Sequence, residues 1–385
     1  MTHGLRPSSM KWKSLIMHNG LQHLQDALDK REKNGNLRVL QPRTGGIDFY
    51  SNDYLGLAGN EELQQLLLKK IIQNPQLLSG STGSRLVSGN SDHTAETEQW
   101  IAREHRYPSA LLFPSGYHAN LALFSTVPNR HDTVIADEKI HRSVHDGCTL
   151  SYAKKLKFRH NDPEDLERIL SRQKGRCYIA IESLYSMDGD VAPIQEIAGV
   201  CEKYRAGLIV DEAHAFGIFG YGLADRYQLR NKVLATVITY GKALGMHGAA
   251  VLSTGLIVSY LINFASPFIY TTSAPDVQWI GIKTGYDFLK KHPERSAGLQ
   301  KNIKIFRQQR LNSISSEGSP VQAVLIPDTR KLKSLQKTLY DKGLLTYAVC
   351  SPAVKEGSER LRICIHSFNT EEEIIKLTGI IRDIL

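Results

Sequence analysis

Residues 208–214 read Leu-Ile-Val-Asp-Glu-Ala-His, a run of three apolar side chains followed at once by two acids and, one residue later, a histidine. An apolar run without alternation is typical of a strand buried on both faces, as in a parallel sheet covered by helices. A carboxylate directly after such a strand is costly unless a cation is paired with it. This stretch therefore predicts a buried parallel strand that ends in a polar site, or in a plain salt bridge to a nearby Lys or Arg.

Short apolar runs of the same kind recur through the middle of the chain. They alternate with stretches of helical character and lie at 110–113, 133–136, 177–181 and 233–238. This alternation predicts an α/β fold with a mostly parallel central sheet covered by helices. Because ligands bind at the carboxyl ends of the strands in such sheets, the residues after each run are the candidates for a site.

The run at 233–238 leads into Thr-Tyr-Gly-Lys-Ala-Leu-Gly, so Lys242 lies next to a glycine near the expected end of a strand. Residues 115–117 follow another run at a strand-to-helix turn, where free amides and the helix dipole favour an anion. A lysine for a Schiff base, an aspartate for a pyridinium nitrogen and donors for a phosphate are the set that pyridoxal phosphate requires. Asp211 and Lys242 also fit a simple ion pair, and these residues alone leave both interpretations open.

The two ends of the chain differ from its middle. Leu21, Leu24 and Leu28 recur at helical spacing near the N-terminus, and Thr370 with Glu373 forms a capping box near the C-terminus. Further short strands are expected at 48–51, 321–326 and 362–365. We expect three segments: an N-terminal helical segment at 1–47, a large cofactor-binding α/β domain at 48–285 and a small C-terminal α+β domain at 286–385.

The composition of the 385 residues is ordinary for a globular chain, with 41% hydrophobic and 23% charged residues. The five cysteines include no Cys-x-x-Cys pair, which argues against a disulfide scaffold and a zinc ribbon. The best apolar candidate, 249–264, is interrupted by polar residues, and the run at 15–17 is too short for a signal peptide core. We therefore expect a cytoplasmic protein with no membrane partner and no metal.

The charge of the chain is positive, with 48 Lys and Arg against 39 Asp and Glu and a net charge of +9. One interpretation is a solvated basic surface, and the other is an anionic partner such as coenzyme A or an acidic carrier protein. The sequence contains no C₂H₂ finger and no aromatic RNA-binding signature, so nucleic acid is not expected as a partner.

Six segments, taken in order, resemble the α-oxoamine synthases, a branch of the fold-type-I pyridoxal-phosphate enzymes. The resemblance extends from about Asn52 to the C-terminus. The segments are 52–57, 83–89, 115–117, 185–190, 210–214 and 241–245. Each segment is weak alone, whereas six in the same order are specific. The resemblance implies a fold-type-I transferase with a mostly parallel central sheet and a smaller C-terminal α+β domain.

The resemblance assigns the chemistry of the cofactor to four residues. Lys242 would carry pyridoxal phosphate as a Schiff base and later move the Cα proton. Asp211 would keep the pyridine nitrogen protonated, and His214 would hydrogen-bond the phenolic oxygen. His141 would stack on the face of the ring.

Other matching positions would surround the cofactor. The further residues that would line its site are Gly116, Tyr117, Ser186 and Thr239. Thr239 would hold the phosphate. Thr271 and Thr272 resemble a pair that reaches the phosphate of the neighbouring subunit, which implies a homodimer with active sites at the interface.

Four positions would bind the substrate. Arg360 would hold the amino-acid carboxylate as a bidentate clamp. Asn52 and His141 would contact the same substrate, and Arg38 resembles an N-terminal arginine with that role.

Within the family, the match is best to the branch that condenses L-alanine with pimeloyl-coenzyme A or pimeloyl carrier protein, with loss of carbon dioxide and free thiol, in biotin synthesis. Glycine C-acetyltransferase, 5-aminolevulinate synthase and serine palmitoyltransferase share the same catalytic set and remain alternatives. A non-enzymatic basic binding protein that keeps the fold is a further alternative, and it would carry no cofactor.

Three positions depart from the pattern of the family. Ala353 stands where a threonine is usual, Arg142 where a small residue is usual, and Asp276 where a proline is usual. These changes leave the cofactor residues untouched and bear on the specificity for the amino acid and the acyl chain.

Overall fold

The computed structural model describes residues 20–40 and 45–385. The apolar run at 15–17, considered above as a signal peptide core, lies outside the described residues. Among the helices within these ranges, none combines the length and the apolar character that crossing a membrane requires.

Twelve strands form within the described residues. They are β1 Ile47–Asp48, β2 Ser109–Phe113, β3 Thr133–Asp137, β4 Lys154–Phe158, β5 Cys177–Glu182, β6 Gly207–Asp211, β7 Val233–Thr239, β8 Ala249–Ser253, β9 Val321–Leu325, β10 Leu344–Leu345, β11 Tyr347–Val349 and β12 Arg360–Cys364. Seven of them make the central sheet, in the order β2-β8-β7-β6-β5-β3-β4. Every neighbouring pair is parallel except those that involve β8, which is antiparallel to β2 and β7. The predicted mostly parallel sheet is confirmed.

Fourteen α-helices connect and cover these strands in the described part of the chain. They are α1 Gln22–Lys33, α2 Glu61–Gln73, α3 Asp92–His105, α4 Gly116–Thr126, α5 Arg142–Leu150, α6 Pro163–Leu170, α7 Ile194–Lys203, α8 Leu223–Arg226, α9 Gly255–Phe264, α10 Ser266–Ile269, α11 Asp276–Lys291, α12 Pro293–Gln308, α13 Thr329–Asp341 and α14 Glu371–Ile384. Helices α4, α5 and α9 pack on one face of the central sheet, and α6 and α7 pack on the other.

The strands of the central sheet lack alternation because both of their faces are buried. Ile179 of β5 packs in a cluster with Leu166 of α6, whereas the next residue, Ala180, packs in a cluster with Leu123 of α4. Each fully buried aliphatic side chain of this kind contributes about 1.5–3 kcal/mol. The sheet therefore gives the rigid edge on which the polar side chains at the strand ends are placed.

A smaller antiparallel sheet, in the order β11-β12-β9, lies in the C-terminal part of the chain. The capping box of Thr370 and Glu373 begins α14 as predicted. The strand predicted at 48–51 is shorter than expected, because the Asp48 carboxylate accepts hydrogen bonds from the amides of Tyr50 and Ser51 and turns the chain. Strand β1 pairs with β10 of the C-terminal part, and the domain boundaries at 47/48 and 285/286 stay a prediction.

Helix α1 forms where the leucine spacing predicted it. Gly35 follows its end with a positive φ of 64°, a conformation that favours glycine. Leu21, Leu24 and Leu28 are between 44% and 51% exposed, and no residue of α1 is buried. The apolar side of this helix is thus open to solvent in the single chain.

Candidate active site

Three neighbouring strands deliver polar side chains to one edge of the central sheet. Because β5, β6 and β7 run parallel, their carboxyl ends lie side by side. Glu182 ends β5 and Asp211 ends β6, and these two residues are register partners. Thr239 ends β7, and Lys242 follows it in the next turn. The residues predicted at the strand ends are thus brought to a common edge.

The carboxylate of Asp211 is buried, at 7% exposure, and it is held from two sides. Asn120 of α4 donates from Nδ2 to Oδ2 at 2.7 Å, and the amide of Ala213 donates to Oδ1 at 2.9 Å. Hydrogen bonds of this kind stabilise a negative charge and fix the direction of its lone pairs. Asp211 is therefore positioned to accept a hydrogen bond from a donor such as a protonated ring nitrogen.

Lys242 lies in a tight turn between β7 and β8. Burial lowers the pKa of its amine to about 8, although the charges of Asp211 and Glu182 oppose this shift. Gly245, with a φ of 65°, closes the turn against the backbone of Leu57 so closely that a β-carbon would not fit. The amine is thus held in place and is partly neutral near physiological pH, the form that attacks a carbonyl carbon.

Glu182 is a buried acid that the sequence analysis did not single out. It is 3% exposed, and burial together with the charge of Asp211 raises the pKa of its carboxyl to about 8. Burial thus shifts the pKa values of Glu182 and Lys242 in opposite directions, each towards its neutral form. The sequence signal for Glu182 was its position directly after an apolar run. An acid at such a position also fits a structural salt bridge, so the signal did not mark a functional residue.

His141 begins α5 and is connected to Asp211 through two side chains. Its Nδ1 lies 2.8 Å from Ser143 Oγ, and the same hydroxyl accepts a hydrogen bond of 3.1 Å from Asn120 Nδ2. Burial lowers the pKa of His141, so the ring is neutral in this environment. A neutral, oriented imidazole suits stacking on a flat cofactor, as predicted for this residue.

His214 is also neutral and is held by a tyrosine. The hydroxyl of Tyr54 lies 2.8 Å from His214 Nδ1 and 3.1 Å from Asn52 Oδ1. Burial and the positive charge of Lys242 hold the pKa of His214 well below its usual range. This hydrogen-bonded set joins the first family segment, at 52–57, to the edge of the sheet.

The start of α4 forms a small cradle beside the end of β7. Ser115 caps the helix, and a β-carbon added at Gly116 would lie 3.5 Å from Thr239 Cβ. Free amides of a helix start next to a hydroxyl are suited to a phosphate. Tyr117 is 42% exposed and donates from its hydroxyl to Asp146 Oδ2 at 2.5 Å, so it lies at the solvent side of this cradle.

Three predicted residues lie elsewhere in the single chain. Thr272 forms a bridge with Ser84 of the 83–89 segment, and its neighbour Thr271 is half-buried. Arg38 is exposed on the segment that follows α1. Their predicted roles stay predictions, and for the two threonines that role requires a second subunit.

Arg360, the predicted carboxylate clamp, has Asp188 and Ser358 as its polar partners in the described part of the chain. It is 5% exposed and forms an ion pair with Asp188. Its Nε and Nη2 both donate to the carbonyl oxygen of Ser358, at 2.9 and 2.6 Å. These contacts occupy the fork of the guanidinium that was predicted to bind substrate.

Arg362, two residues later on the same face of β12, points to the site instead. Its Nη2 donates to Asn52 Oδ1 at 2.8 Å, and its Nε donates to the carbonyl oxygen of Ser186 at 2.7 Å. Both partners are residues predicted to line the site. The motif Arg-Leu-Arg presents two equivalent candidates by alternation, so the sequence offered no way to choose between them.

The three departures lie outside the set of strand-end residues in the described structure. Arg142 is exposed and pairs with Asp146 at 2.7 Å, while Asp276 begins α11 and contacts Ser91. Ala353 is exposed in the loop between β11 and β12. None of these three has a contact with Asp211 or Lys242 among the hydrogen bonds of the described residues.

The profile of the family described as aminotransferase class I and II matches residues 44–381. The chain belongs to this family. It is 37% identical over 386 residues to an 8-amino-7-oxononanoate synthase from Emericella nidulans, covering 93% of this chain and 92% of that protein. It is 34% identical over 338 residues to an 8-amino-7-oxononanoate synthase from Marinobacter nauticus, covering 86% of this chain and 85% of that one.

Solved structures with this fold include serine palmitoyltransferases and an 8-amino-7-oxononanoate synthase. The serine palmitoyltransferase from Sphingomonas wittichii has a TM-score of 0.86 at 26% identity, covering 94% of this chain and 97% of that chain. The 8-amino-7-oxononanoate synthase from Francisella tularensis has a TM-score of 0.75 at 30% identity, with coverages of 88% and 97%. Another serine palmitoyltransferase structure contains pyridoxal phosphate, with a TM-score of 0.87 at 25% identity and coverages of 95% and 98%. The family resemblance and the fold class predicted from the sequence are confirmed.

Proposed function

We propose that this chain is a pyridoxal-phosphate-dependent C-acyltransferase that condenses L-alanine with a pimeloyl thioester. The products are 8-amino-7-oxononanoate, carbon dioxide and the free thiol. The observation that carries the proposal is the placement of Lys242, just after β7, and the oriented carboxylate of Asp211, at the end of β6, on the same edge of the sheet. The 8-amino-7-oxononanoate synthases among its relatives support the choice of substrates.

The residues at the edge fit pyridoxal phosphate in three respects. Lys242 is an amine that is able to bond to the aldehyde carbon, and the Asp211 carboxylate suits the ring nitrogen. The space that a β-carbon of Gly116 would fill, beside Thr239, suits the phosphate. His141 and His214, both neutral, suit the ring face and the ring oxygen.

The bound cofactor would supply an electron sink for the bond that is broken at the amino acid. Asp211, held by Asn120 and Ala213, would keep a positive charge on the ring nitrogen. Lys242, with its pKa lowered to about 8, would take a proton from Cα and return it, because an amine near its pKa does both. His141 would limit the directions from which the acyl donor approaches.

We assign the amino-acid carboxylate to Arg362 rather than to Arg360. Arg362 is buried next to Asn52 and Ser186, whereas Arg360 is paired with Asp188. Arg362 also donates from Nη1 to Cys364 Sγ at 3.0 Å, and each of its two Nη atoms keeps a second N–H for a bidentate carboxylate. The two arginines differ in their partners, and that difference supports the assignment.

We further infer a homodimer and a cytoplasmic location. Tyr270, directly before Thr271, is 83% exposed, and Leu256 and Phe264 on α9 are 78% and 62% exposed. Exposed apolar side chains of this kind fit a subunit interface. All five cysteines are free, as expected in a reducing compartment. Sedimentation at twice the chain mass would support the dimer, and a monomer under assay conditions would contradict it.

The alternative within the family uses another amino acid or another acyl chain. The serine palmitoyltransferases have TM-scores of up to 0.87, against 0.75 for the Francisella tularensis structure. The alanine at position 353 removes a hydroxyl that the resemblance places near substrate. Both observations make the amino-acid specificity the property to measure first.

The deciding experiment is thiol release by the holoenzyme with pimeloyl-coenzyme A, comparing L-alanine, glycine and L-serine. We expect release that depends on L-alanine, together with formation of 8-amino-7-oxononanoate. Release that depends only on glycine or L-serine would move the function to another member of the family. A chain without a cofactor chromophore would contradict the enzymatic proposal.

A further inference from the structure

His160, which follows β4, is held between two carboxylates. Its Nδ1 lies 2.8 Å from Oδ1 of Asp137, the last residue of β3, and its Nε2 contacts the carboxylate of Asp190. An ionised carboxylate only accepts hydrogen bonds, so both ring nitrogens must donate. His160 is therefore an imidazolium, in agreement with a pKa that the two carboxylates raise to about 9.

Asp190 belongs to a loop at 185–191 that lies between the central sheet and the C-terminal sheet. The amide of Ser316 donates to Gly189 O at 3.0 Å, and Gly189, with a φ of 67°, leaves no room for a β-carbon against Val321 O. The same loop presents the carbonyl oxygen of Ser186 to Arg362 Nε at 2.7 Å. The position of this loop thus decides where one partner of Arg362 lies.

A second set of charges holds the loop at Asp188. This carboxylate, 2% exposed, pairs with Lys139 and with Arg360. The side-chain atoms of His160, Asp188 and Asp190 that could ligate a metal ion lie within 4.8 Å of one another, an arrangement that resembles a metal site. Two cationic side chains on Asp188 and a protonated His160 disfavour a metal ion there, so the cluster is better described as an ion-pair network.

The groups that face His160 are acidic or neutral. Asp137 and Asp190 contact its two nitrogens, and Glu138 Oε1 accepts a hydrogen bond of 3.4 Å from its backbone amide. Tyr185 packs edge-on with a centroid distance of 4.5 Å, and burial raises its pKa so that it stays neutral. The imidazolium is thus a cation that joins Asp137 of β3 to Asp190 of the loop. Losing its proton removes one charge-assisted hydrogen bond, while Asn161 Nδ2 still donates to Asp190 Oδ2 at 2.9 Å and two backbone amides still donate to Asp137.

We propose that His160 is a positioning residue for amino-acid binding: as an imidazolium it holds the 185–191 loop in the form in which Ser186 O orients Arg362. This inference rests on the proposed function, in which Arg362 binds the carboxylate. Deprotonation of His160 removes one of the charged contacts that hold the loop, so Asp190 is held less firmly, by Asn161 Nδ2 at 2.9 Å, and Ser186 O orients Arg362 less well. The consequence is a higher KM for the amino acid with little change in kcat.

The test uses the holoenzyme and the variant His160→Gln, with His131→Gln as the matched control because His131 is exposed on a surface turn. KM and kcat for L-alanine are measured at pH 7.5 and at pH 9.5. The affinity for glycine, L-alanine and L-serine is also measured from the absorbance change of the cofactor, which needs no acyl donor. We expect a rise of about tenfold in KM and Kd at pH 7.5 for His160→Gln, the size of one lost charge-assisted contact.

At pH 9.5 the ratio between variant and wild type should fall towards one, because the wild type has then lost the same proton. A variant with the wild-type KM at pH 7.5, or a ratio that is the same at both pH values, would overturn the proposal. If no thiol is released by the wild type with pimeloyl-coenzyme A, the proposed function fails, whereas the binding measurements still decide the role of His160.

A direct readout guards against a variant that does not fold. In ¹⁵N-histidine-labelled holoenzyme, both ring N–H groups of His160 should be observed at pH 7.5 and should disappear in His160→Gln. Asp190→Asn, which removes one acceptor and keeps the shape, should lower the pKa of His160 and raise the KM for L-alanine. A neutral His160 at pH 7.5 in the wild type would overturn the proposal.

Discussion

The edge of the central sheet and the small C-terminal sheet provide different parts of the candidate site, and they differ in how they place charge. At the edge, Asp211 and Lys242 follow buried parallel strands, so the strands alone bring them together. On β12, Arg360 and Arg362 lie on the same face, and they contact different partners, Asp188 for Arg360 and Asn52 for Arg362. The first region is governed by topology, and the second by individual contacts.

This difference shows for which residues a sequence motif is enough to predict the location in the fold. A residue directly after a parallel strand has one possible location, because the carboxyl ends of all such strands meet at one edge. A residue on an antiparallel strand shares its face with the residues two positions away. The comparison therefore predicts large, simple effects at the edge of the sheet and effects on β12 that depend on which arginine is changed.

The largest effect is expected at the edge. Lys242→Ala should reduce alanine-dependent thiol release by roughly a thousandfold or more, because no other amine among the strand-end residues replaces it. Steady-state assays and the absorbance of the bound cofactor measure the loss. Lys69→Ala, an exposed lysine on α2, is the control and should behave as wild type. Activity of Lys242→Ala within tenfold of wild type would contradict a catalytic role for Lys242 at the edge of the sheet.

The second effect separates the two arginines of β12. Arg362→Gln should raise the KM for L-alanine by about a hundredfold, the size of a lost bidentate carboxylate contact. Arg360→Gln should raise it by less than tenfold and should lower the melting temperature, because it leaves Asp188 with Lys139 alone. Measuring KM and thermal unfolding for both variants decides the assignment. A larger rise in KM for Arg360→Gln than for Arg362→Gln would support Arg360 as the residue that binds the carboxylate.

The third effect concerns the phosphate cradle. Gly116→Ala adds a β-carbon 3.5 Å from Thr239 Cβ, an ordinary contact for the protein alone, so the melting temperature of the cofactor-free protein should stay the same. The affinity for pyridoxal phosphate should fall by about tenfold, since the added methyl group occupies the space of an anion. Gly199→Ala, in helix α7 with open space around it, is the matched control and should leave the affinity unchanged. Equal affinities in both variants would place the phosphate elsewhere.

The smallest effect is a dependence of thermal stability on pH that comes from His160, which holds the 185–191 loop between the two sheets. The pKa of His160 is raised to about 9 in the folded chain, above the value of about 6.5 expected after unfolding. Its stabilising contribution is therefore complete below about pH 6.5 and is lost as the pH rises through about 9. The difference in melting temperature between wild type and His160→Gln should shrink by a few degrees between pH 6.5 and pH 9.5. A constant difference would contradict the imidazolium at this position.

The placement of several candidate residues was predictable because each of them follows a strand closely. Asp211 and Lys242 were found in this way, and Gly116 and Thr239 lie together as a phosphate site requires. The role proposed for Arg362 was not predicted because the pattern Arg-Leu-Arg is symmetrical by alternation, and Glu182 was not singled out because a strand-end acid has an ordinary structural use. The shortness of β1 was missed for a local reason, the hydrogen bonds from the amides of Tyr50 and Ser51 to Asp48.

The sequence by itself determined the α/β class, the parallel core and the identity of the residues at its edge. Apolar runs have few ways to be buried, so their order along the chain is enough to place the polar residues that come directly after them. Only the tertiary structure decided which arginine faces Asn52, and that His160 bridges Asp137 and Asp190. These choices depend on distances between segments that are far apart in the chain, and a polar side chain takes its role from the partners that burial leaves beside it.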